Sequence, residues 1–168
     1  MKKFDEDALE QVVGKSLLEK GLTLAVAESC TGGLISSKLT DVPGSSAYIK
    51  LNFTTYSDEA KSEILGIEWD LIEKHGAVSE QVAKAMAEGA RKTSRTDIGL
   101  GITGIAGPTG GSSKKPVGLV YIGISDGKNT EAQKVNINPE LSRIAIKQKA
   151  SRHALNFLRL FINKSLFD

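Results

Sequence analysis

At 168 residues, with 40% hydrophobic and 25% charged residues and a formal net charge of +2, the chain has the size and make-up of one globular domain around a single core; disorder and collagen-like repeats are excluded. Its charges are interspersed without the dense basic stripe of a nucleic-acid footprint, and no apolar run approaches the roughly 18 residues of a membrane span, so neither nucleic acid nor membrane is an expected partner. A single cysteine, Cys30, excludes an intramolecular disulfide framework, and the N-terminal stretch lacks the apolar segment of a signal peptide, which together point to the cytoplasm.

Phe4 to Lys20 sets Ala8, Leu9, Val12, Val13 and Leu17 at helical spacing, with Asp5, Glu6 and Asp7 in the first turn, and Gly21 ends the helix. Leu22 to Ala27 is a short apolar run of the kind found in a strand covered on both faces, and Ser29 to Gly33 is the turn out of it. A helix over Leu34 to Thr40, a turn at Pro43 to Ser46 and a strand over Ala47 to Tyr56 follow. Asp58 can cap the helix that carries Lys61, Trp69 to Lys74 forms another, and Ser79 caps a longer one with Val82, Ala83, Met86, Ala87 and Ala90 on its apolar face. Strands are predicted over Ile98 to Thr103, Val117 to Ser125 and about Glu131 to Ile137. A last helix runs from about Pro139 to Asn163, its apolar positions including Leu141, Ile144, Ala145, Ala154, Leu155, Leu158, Phe161 and Ile162. Alternating strands and helices make this an α/β fold with a largely parallel sheet, and the consecutive strands near the end suggest an antiparallel addition.

Ligands of open α/β sheets gather at the carboxyl ends of strands, which directs attention to the turns after Ala27 and after Thr103. The first puts the hydroxyl of Ser29 and the thiol of Cys30 where a strand meets a helix, with backbone N–H groups placed to hold phosphate or an oxyanion; an ordinary cap using Ser29 or Thr31 accounts for the same residues. A serine nucleophile needs a base. The two histidines, His75 at a helix end and His153 inside the last helix, sit in ordinary structural places. Lysine can serve if burial or a neighbouring cation keeps it neutral, and spacing alone does not select Lys61 from the other lysines. Gly99 to Gly104 spells G-x-G-x-x-G inside a predicted strand with no helix after it, so these glycines are read as close packing; Gly110 to Lys115 lacks the Walker A spacing. The cysteine and the distant histidines match no zinc spacing, which favours a mechanism without metal or cofactor. The long Gly-rich loop Gly104 to Lys115 is a candidate functional loop.

Five segments together resemble the CinA C-terminal domain family of competence- and damage-inducible proteins: Ala27-Glu-Ser-Cys-Thr-Gly-Gly33, Asp41-Val-Pro-Gly-Ser-Ser-Ala-Tyr48, Thr55-Tyr-Ser-Asp-Glu-Ala-Lys61, His75-Gly-Ala-Val-Ser-Glu80 and Thr103-Gly-Ile-Ala-Gly-Pro108. The resemblance implies a single-domain three-layer α/β/α sandwich over residues 1–168 and a homo-oligomer. It also implies an amidase converting nicotinamide mononucleotide to nicotinic acid mononucleotide and ammonia, in support of NAD synthesis. By position, Ser29 resembles the nucleophile and Lys61 its activating partner, with Tyr56 close by; Thr103 and Ser46 resemble supporting polar contacts, and Arg143 the arginine that holds substrate phosphate. The N–H groups of Thr31 and Gly32 are the expected oxyanion hole. Lys50-Leu-Asn-Phe-Thr54 departs from the Gly-Gly-Val-Val common in the family, and Leu51 and Asn52 are expected to narrow the pocket if that strand lines it. Full-length relatives bear a molybdopterin-binding-like N-terminal domain for which this length leaves no room, so its activities are expected to be absent. Two alternatives remain at this stage: a non-catalytic nucleotide-binding module of the same fold, and a cysteine amidase using Cys30.

Overall fold

The computed structural model describes residues 9–164. Helix α1 spans Leu9–Lys20, β1 Leu24–Glu28, α2 Leu34–Thr40, β2 Ile49–Thr54, α3 Asp58–Leu65, α4 Trp69–His75, α5 Glu80–Ser94, β3 Ile98–Gly104, β4 Leu119–Ser125, β5 Thr130–Asn136 and α6 Arg143–Lys164. The sheet order is β2-β1-β3-β4-β5. Strands β2, β1 and β3 run parallel, and β4 and β5 each pair antiparallel with their neighbour, which is the expected addition at the C-terminal edge. Two helical layers cover the sheet. Val26 faces a core shared with α1, α2 and α6, while Ala25 and Ala27 face a second cluster with Leu65, Ile72 and Met86 of α3, α4 and α5, as the period-2 alternation of a strand requires. No helix among the described residues is long and apolar enough to cross a membrane.

The glycines of β3 are packing residues. A Cβ on Gly101 would stand 2.6 Å from the Ala83 carbonyl oxygen and one on Gly123, its partner in the β3–β4 pairing, 2.3 Å from the same atom. The backbone of α5 therefore lies directly on these strands, closer than any side chain would allow. Val82, Ala83, Met86, Ala87 and Ala90 of α5 are all buried, as their spacing predicts, and Ser79 caps the helix by accepting from the Val82 N–H.

Several boundaries differ from expectation. The N-terminal part of the first predicted helix, residues 4–8, lies outside the described residues, and Val12 is exposed rather than core. Residues Ser45–Ala47 close a short 3-10 turn, so β2 begins later than Ala47. Ser57, not Asp58, caps α3: its hydroxyl accepts from the Ala60 N–H and its backbone is extended. Helix α6 starts at Arg143 instead of Pro139, because the Ser142 hydroxyl accepts from the Ala145 N–H and its carbonyl from the Ile146 N–H, closing the first turn there. Leu141 precedes the helix, and Ile144 points to solvent.

The consequence for function is topological. Chain leaving β1 crosses to α2 on one face, and chain leaving β2 returns through α3, α4 and α5 on the other before entering β3. The carboxyl ends of β1 and β3 thus flank the point where the winding reverses, where a crevice opens.

Candidate active site

The turn that leaves β1 is held from below by its own last residue. Glu28 is fully buried, and its carboxylate accepts from the N–H groups of Gly33 at 3.1 Å, Ile35 at 3.1 Å and Ser36 at 2.8 Å, and from the Ser36 hydroxyl at 2.7 Å. A carboxylate placed there neutralises the positive end of α2 and satisfies donors that have no partner within the helix. This corrects the expectation of free N–H groups at that terminus: the anion is already built in. Gly32 is likewise engaged, its N–H donating to the Ser29 carbonyl at 3.1 Å, and neither it nor Thr31 lines the crevice, so the expected oxyanion pair is not formed by them. Thr31 is buried with its hydroxyl unpartnered. Ser29 is pinned to the neighbouring strand through its N–H, which donates to the Ile102 carbonyl at 3.1 Å, and its side chain opens on the cavity with 8% of the residue exposed.

Lys61 reaches the same cavity from α3. Only 1% of it is exposed, and its ammonium donates to the carbonyls of Tyr56 at 3.2 Å and Ser57 at 3.3 Å, with the Asp58 carboxylate 3.5 Å away. Burial pulls its amine below the ordinary lysine value, and Asp58 opposes that pull by favouring the charged form. Two carbonyls can accept the two hydrogens of a neutral amine, which leaves the lone pair free. Among the described residues no hydrogen bond joins Lys61 Nζ to Ser29 Oγ.

Ser29, Cys30, Tyr56, Asp58, Lys61, Thr103, Arg143 and the loop from Gly104 to Gly110 enclose about 340 Å³, a volume suited to a small-molecule ligand. Arg143, from the first turn of α6, crosses the rim: Nη1 donates to the Gly107 carbonyl at 2.7 Å and Nη2 to the Tyr56 hydroxyl at 2.9 Å. Tyr56 is 60% exposed, so its carbonyl serves Lys61 while its ring stands at the mouth beside Arg143. Thr103 is buried at the end of β3 and donates to the Ala77 carbonyl at 2.9 Å, fixing the far wall. Cys30 also borders the cavity, but burial pushes its thiol up to about 12, so the thiolate is scarce at neutral pH.

Of the predicted residues, Ser29, Lys61, Tyr56, Thr103 and Arg143 converge. Ser46 does not: it is exposed in the 3-10 turn before β2, at the amino ends of the strands and so at the opposite end of the sheet from Ser29. The departing segment Lys50 to Thr54 also stays out of the cavity. It forms the edge strand β2, where the Asn52 side-chain oxygen accepts from the Val26 N–H at 3.0 Å beside a register shift. The expected narrowing of the pocket therefore does not occur. Neither histidine side chain borders the cavity. Two residues that sequence reasoning passed over belong to the site, Glu28 and Asp58. The second had a local signal, an acid three residues before the lysine on one helix face.

The sequence model of the CinA C-terminal domain matches residues 6–162. The chain is 44% identical over 164 residues to a putative competence-damage inducible protein of Caldanaerobacter subterraneus subsp. tengcongensis, covering 98% of this chain and 39% of that protein. It is 51% identical over 155 residues to one from Caldicellulosiruptor bescii, covering 92% and 37%. The chain thus spans less than two-fifths of the length of these relatives. Its fold superposes with TM-score 0.88 on the competence/damage inducible protein CihA from Agrobacterium tumefaciens, at 38% identity, covering 97% of this chain and 99% of that one. A CinA superfamily protein from Klebsiella pneumoniae also gives TM-score 0.88, at 30% identity, covering 93% and 96%.

Proposed function

The chain belongs to the CinA C-terminal domain family, and from that premise we propose that it is an amidohydrolase that converts nicotinamide mononucleotide to nicotinic acid mononucleotide and ammonia. The observation that carries the reading is the pairing, in one cavity, of a serine at a strand end with a lysine that is almost wholly buried and pulled toward its neutral form. A buried lysine without a catalytic use is costly, and a depressed amine beside a hydroxyl is the arrangement that serine–lysine hydrolysis requires.

The steps follow from these groups. Neutral Lys61 takes the Ser29 hydroxyl proton as Oγ attacks the carboxamide carbon. The tetrahedral oxyanion is met by backbone N–H groups of the turn; with the Gly32 N–H committed to the Ser29 carbonyl, the N–H of Cys30, the residue directly after the nucleophile and one that borders the cavity, is the candidate donor. Protonated Lys61 returns its proton to the departing nitrogen, which leaves as ammonia. A water then attacks the Ser29 ester with Lys61 again as base, releasing the carboxylic acid and restoring the hydroxyl. Arg143 at the rim suits the substrate phosphate, since only two of its five N–H donors are occupied by Gly107 and Tyr56.

The alternatives lose their motives. The binding-module reading drew on the altered segment Lys50 to Thr54, which lies outside the cavity, and the cysteine reading needs a thiolate that burial of Cys30 disfavours. Incubating the purified protein with nicotinamide mononucleotide and measuring ammonia tests the proposal. Steady release that is lost in Ser29→Ala supports it, and no release by the native protein refutes it.

A further inference from the structure

Lys147 lies one helical turn beyond Arg143 on α6, so both side chains leave the same face of the helix. Its stem is half-buried, and among the described residues its ammonium has neither a hydrogen-bond acceptor nor a carboxylate partner. The ammonium is aimed at the nucleophile turn: a Cβ added to Gly32 would stand 3.4 Å from Lys147 Nζ. That separation is an ordinary contact, which places the lysine tip against the turn, and the φ of +62° at Gly32 is what disfavours a side chain there. From the other direction, the field at Cys30 includes both Arg143 and Lys147. Lys147 thus stands against the Ser29–Gly32 turn while Arg143 crosses the rim of the adjoining cavity, and the charges of both reach Cys30 between them.

Their combined charge points to a ligand. Asp58 and the buried Glu28 carboxylate are the anions nearby, but neither pairs directly with these cations: Arg143 donates only to the neutral Gly107 carbonyl and Tyr56 hydroxyl, and among the described residues Lys147 has no carboxylate partner. A phosphate monoester carries a charge of about −1.5 to −2 at neutral pH. Arginine alone offsets one unit of that, whereas the pair matches it, with the fork of Arg143 fixing geometry and the ammonium of Lys147 supplying a point charge.

We propose that Lys147 is a second phosphate-binding residue, which together with Arg143 makes the site selective for nucleoside monophosphates over nucleosides. The identity of the ligand rests on the amidase reading; the presence of a phosphate subsite does not. The test is accordingly double. Binding of ribose 5-phosphate and of ribose is measured by calorimetry on the native protein, Lys147→Gln, Lys147→Arg and Arg143→Ala. The native protein should bind the phosphate ester and not ribose, Lys147→Gln should bind it about tenfold more weakly, and Lys147→Arg should recover most of the loss. Separately, Lys147→Gln should raise KM for nicotinamide mononucleotide about tenfold with kcat within about twofold, and leave turnover of nicotinamide riboside unchanged. Ribose 5-phosphate binding that is absent from the native protein, or undiminished in Lys147→Gln, overturns the proposal. Absence of ammonia release with binding and its Lys147 dependence intact would refute the amidase reading and leave the phosphate subsite standing.

Discussion

The Tyr56 hydroxyl receives a hydrogen bond from Arg143 Nη2 at 2.9 Å across 87 positions of sequence. Because the Tyr56 carbonyl also accepts from Lys61 Nζ, one residue joins the rim cation to the buried amine through two different atoms. The side chain acts on substrate capture and the backbone on the base.

Tyr56→Phe separates these roles, since it removes the hydroxyl and keeps the carbonyl. The expected result is a KM for nicotinamide mononucleotide raised by about threefold to tenfold, from a less constrained Arg143, with kcat within about threefold and an unchanged pH profile. Steady-state kinetics across pH check this. A loss of kcat by two orders of magnitude or more would place the hydroxyl in the proton transfers.

Lys61 must be neutral to accept a proton, so kcat/KM should rise with pH through its pKa, which burial sets below the ordinary lysine value. Asp58 acts against burial by stabilising the ammonium. Removing its charge in Asp58→Asn therefore lowers that pKa further and moves the acid limb of the profile to lower pH. Lys61→Arg, which stays charged, should be as inactive as Lys61→Gln. An acid limb that stays in place in Asp58→Asn, or an active arginine variant, would mean that Lys61 contributes charge and that the base lies elsewhere.

The alternation of strands and helices was legible because burial leaves periodic traces: the i, i+3, i+4 face of α5, the apolar run of β1 and the glycines of β3 all matched the structure. Ser79 was legible as a cap because capping is local. What escaped was decided by competition or distance. Asp58 and Ser57 are adjacent capping residues, and only the backbone conformation chooses between them. Pro139 suits a first helical turn, but Ser142 closes the turn that forms. Nothing in the pattern of α3 marks Lys61 as buried, since its burial comes from the site around it, and the reach of Arg143 to Tyr56 leaves no periodicity at all. Ser29 and Lys61 were singled out through resemblance, and Ser46 came by the same route to a position at the other end of the sheet. Glu28 was hidden by its placement, since an acid at the end of a strand reads as an ordinary chain end until the helix after it turns back.

That carboxylate carries the next expectation. Glu28→Gln keeps shape but loses charge, and turns a donor toward N–H groups that also donate. With four charge-assisted contacts weakened in a fully buried place, the loss of stability should be about 2–4 kcal/mol. Urea denaturation measures it. A change below about 0.5 kcal/mol, the range of ordinary surface substitutions, would show that the turn does not depend on the acid.

The last expectation decides between two neighbours, Ser29 and Cys30, which both border the cavity. Thiolates are intrinsically the stronger nucleophiles, so proximity alone would favour the cysteine. Environment reverses that order. Burial, reinforced by the Glu28 carboxylate, raises the Cys30 thiol to about 12 even though Arg143 and Lys147 pull the other way, so the thiolate is scarce at neutral pH. The side chain belongs instead to the core shared with Val26 and Ile35, where a free cysteine serves as a small apolar filler. Cys30→Ala should therefore keep most of the activity, and the native protein should resist alkylation of its thiol. Ser29→Ala should fold, bind nicotinamide mononucleotide and release no ammonia. An active Ser29→Ala protein beside a folded but inactive Cys30→Ala protein would move the nucleophile to Cys30. Lys61 would then have to act on a thiol, and its pH limb would disappear on alkylation of that single cysteine.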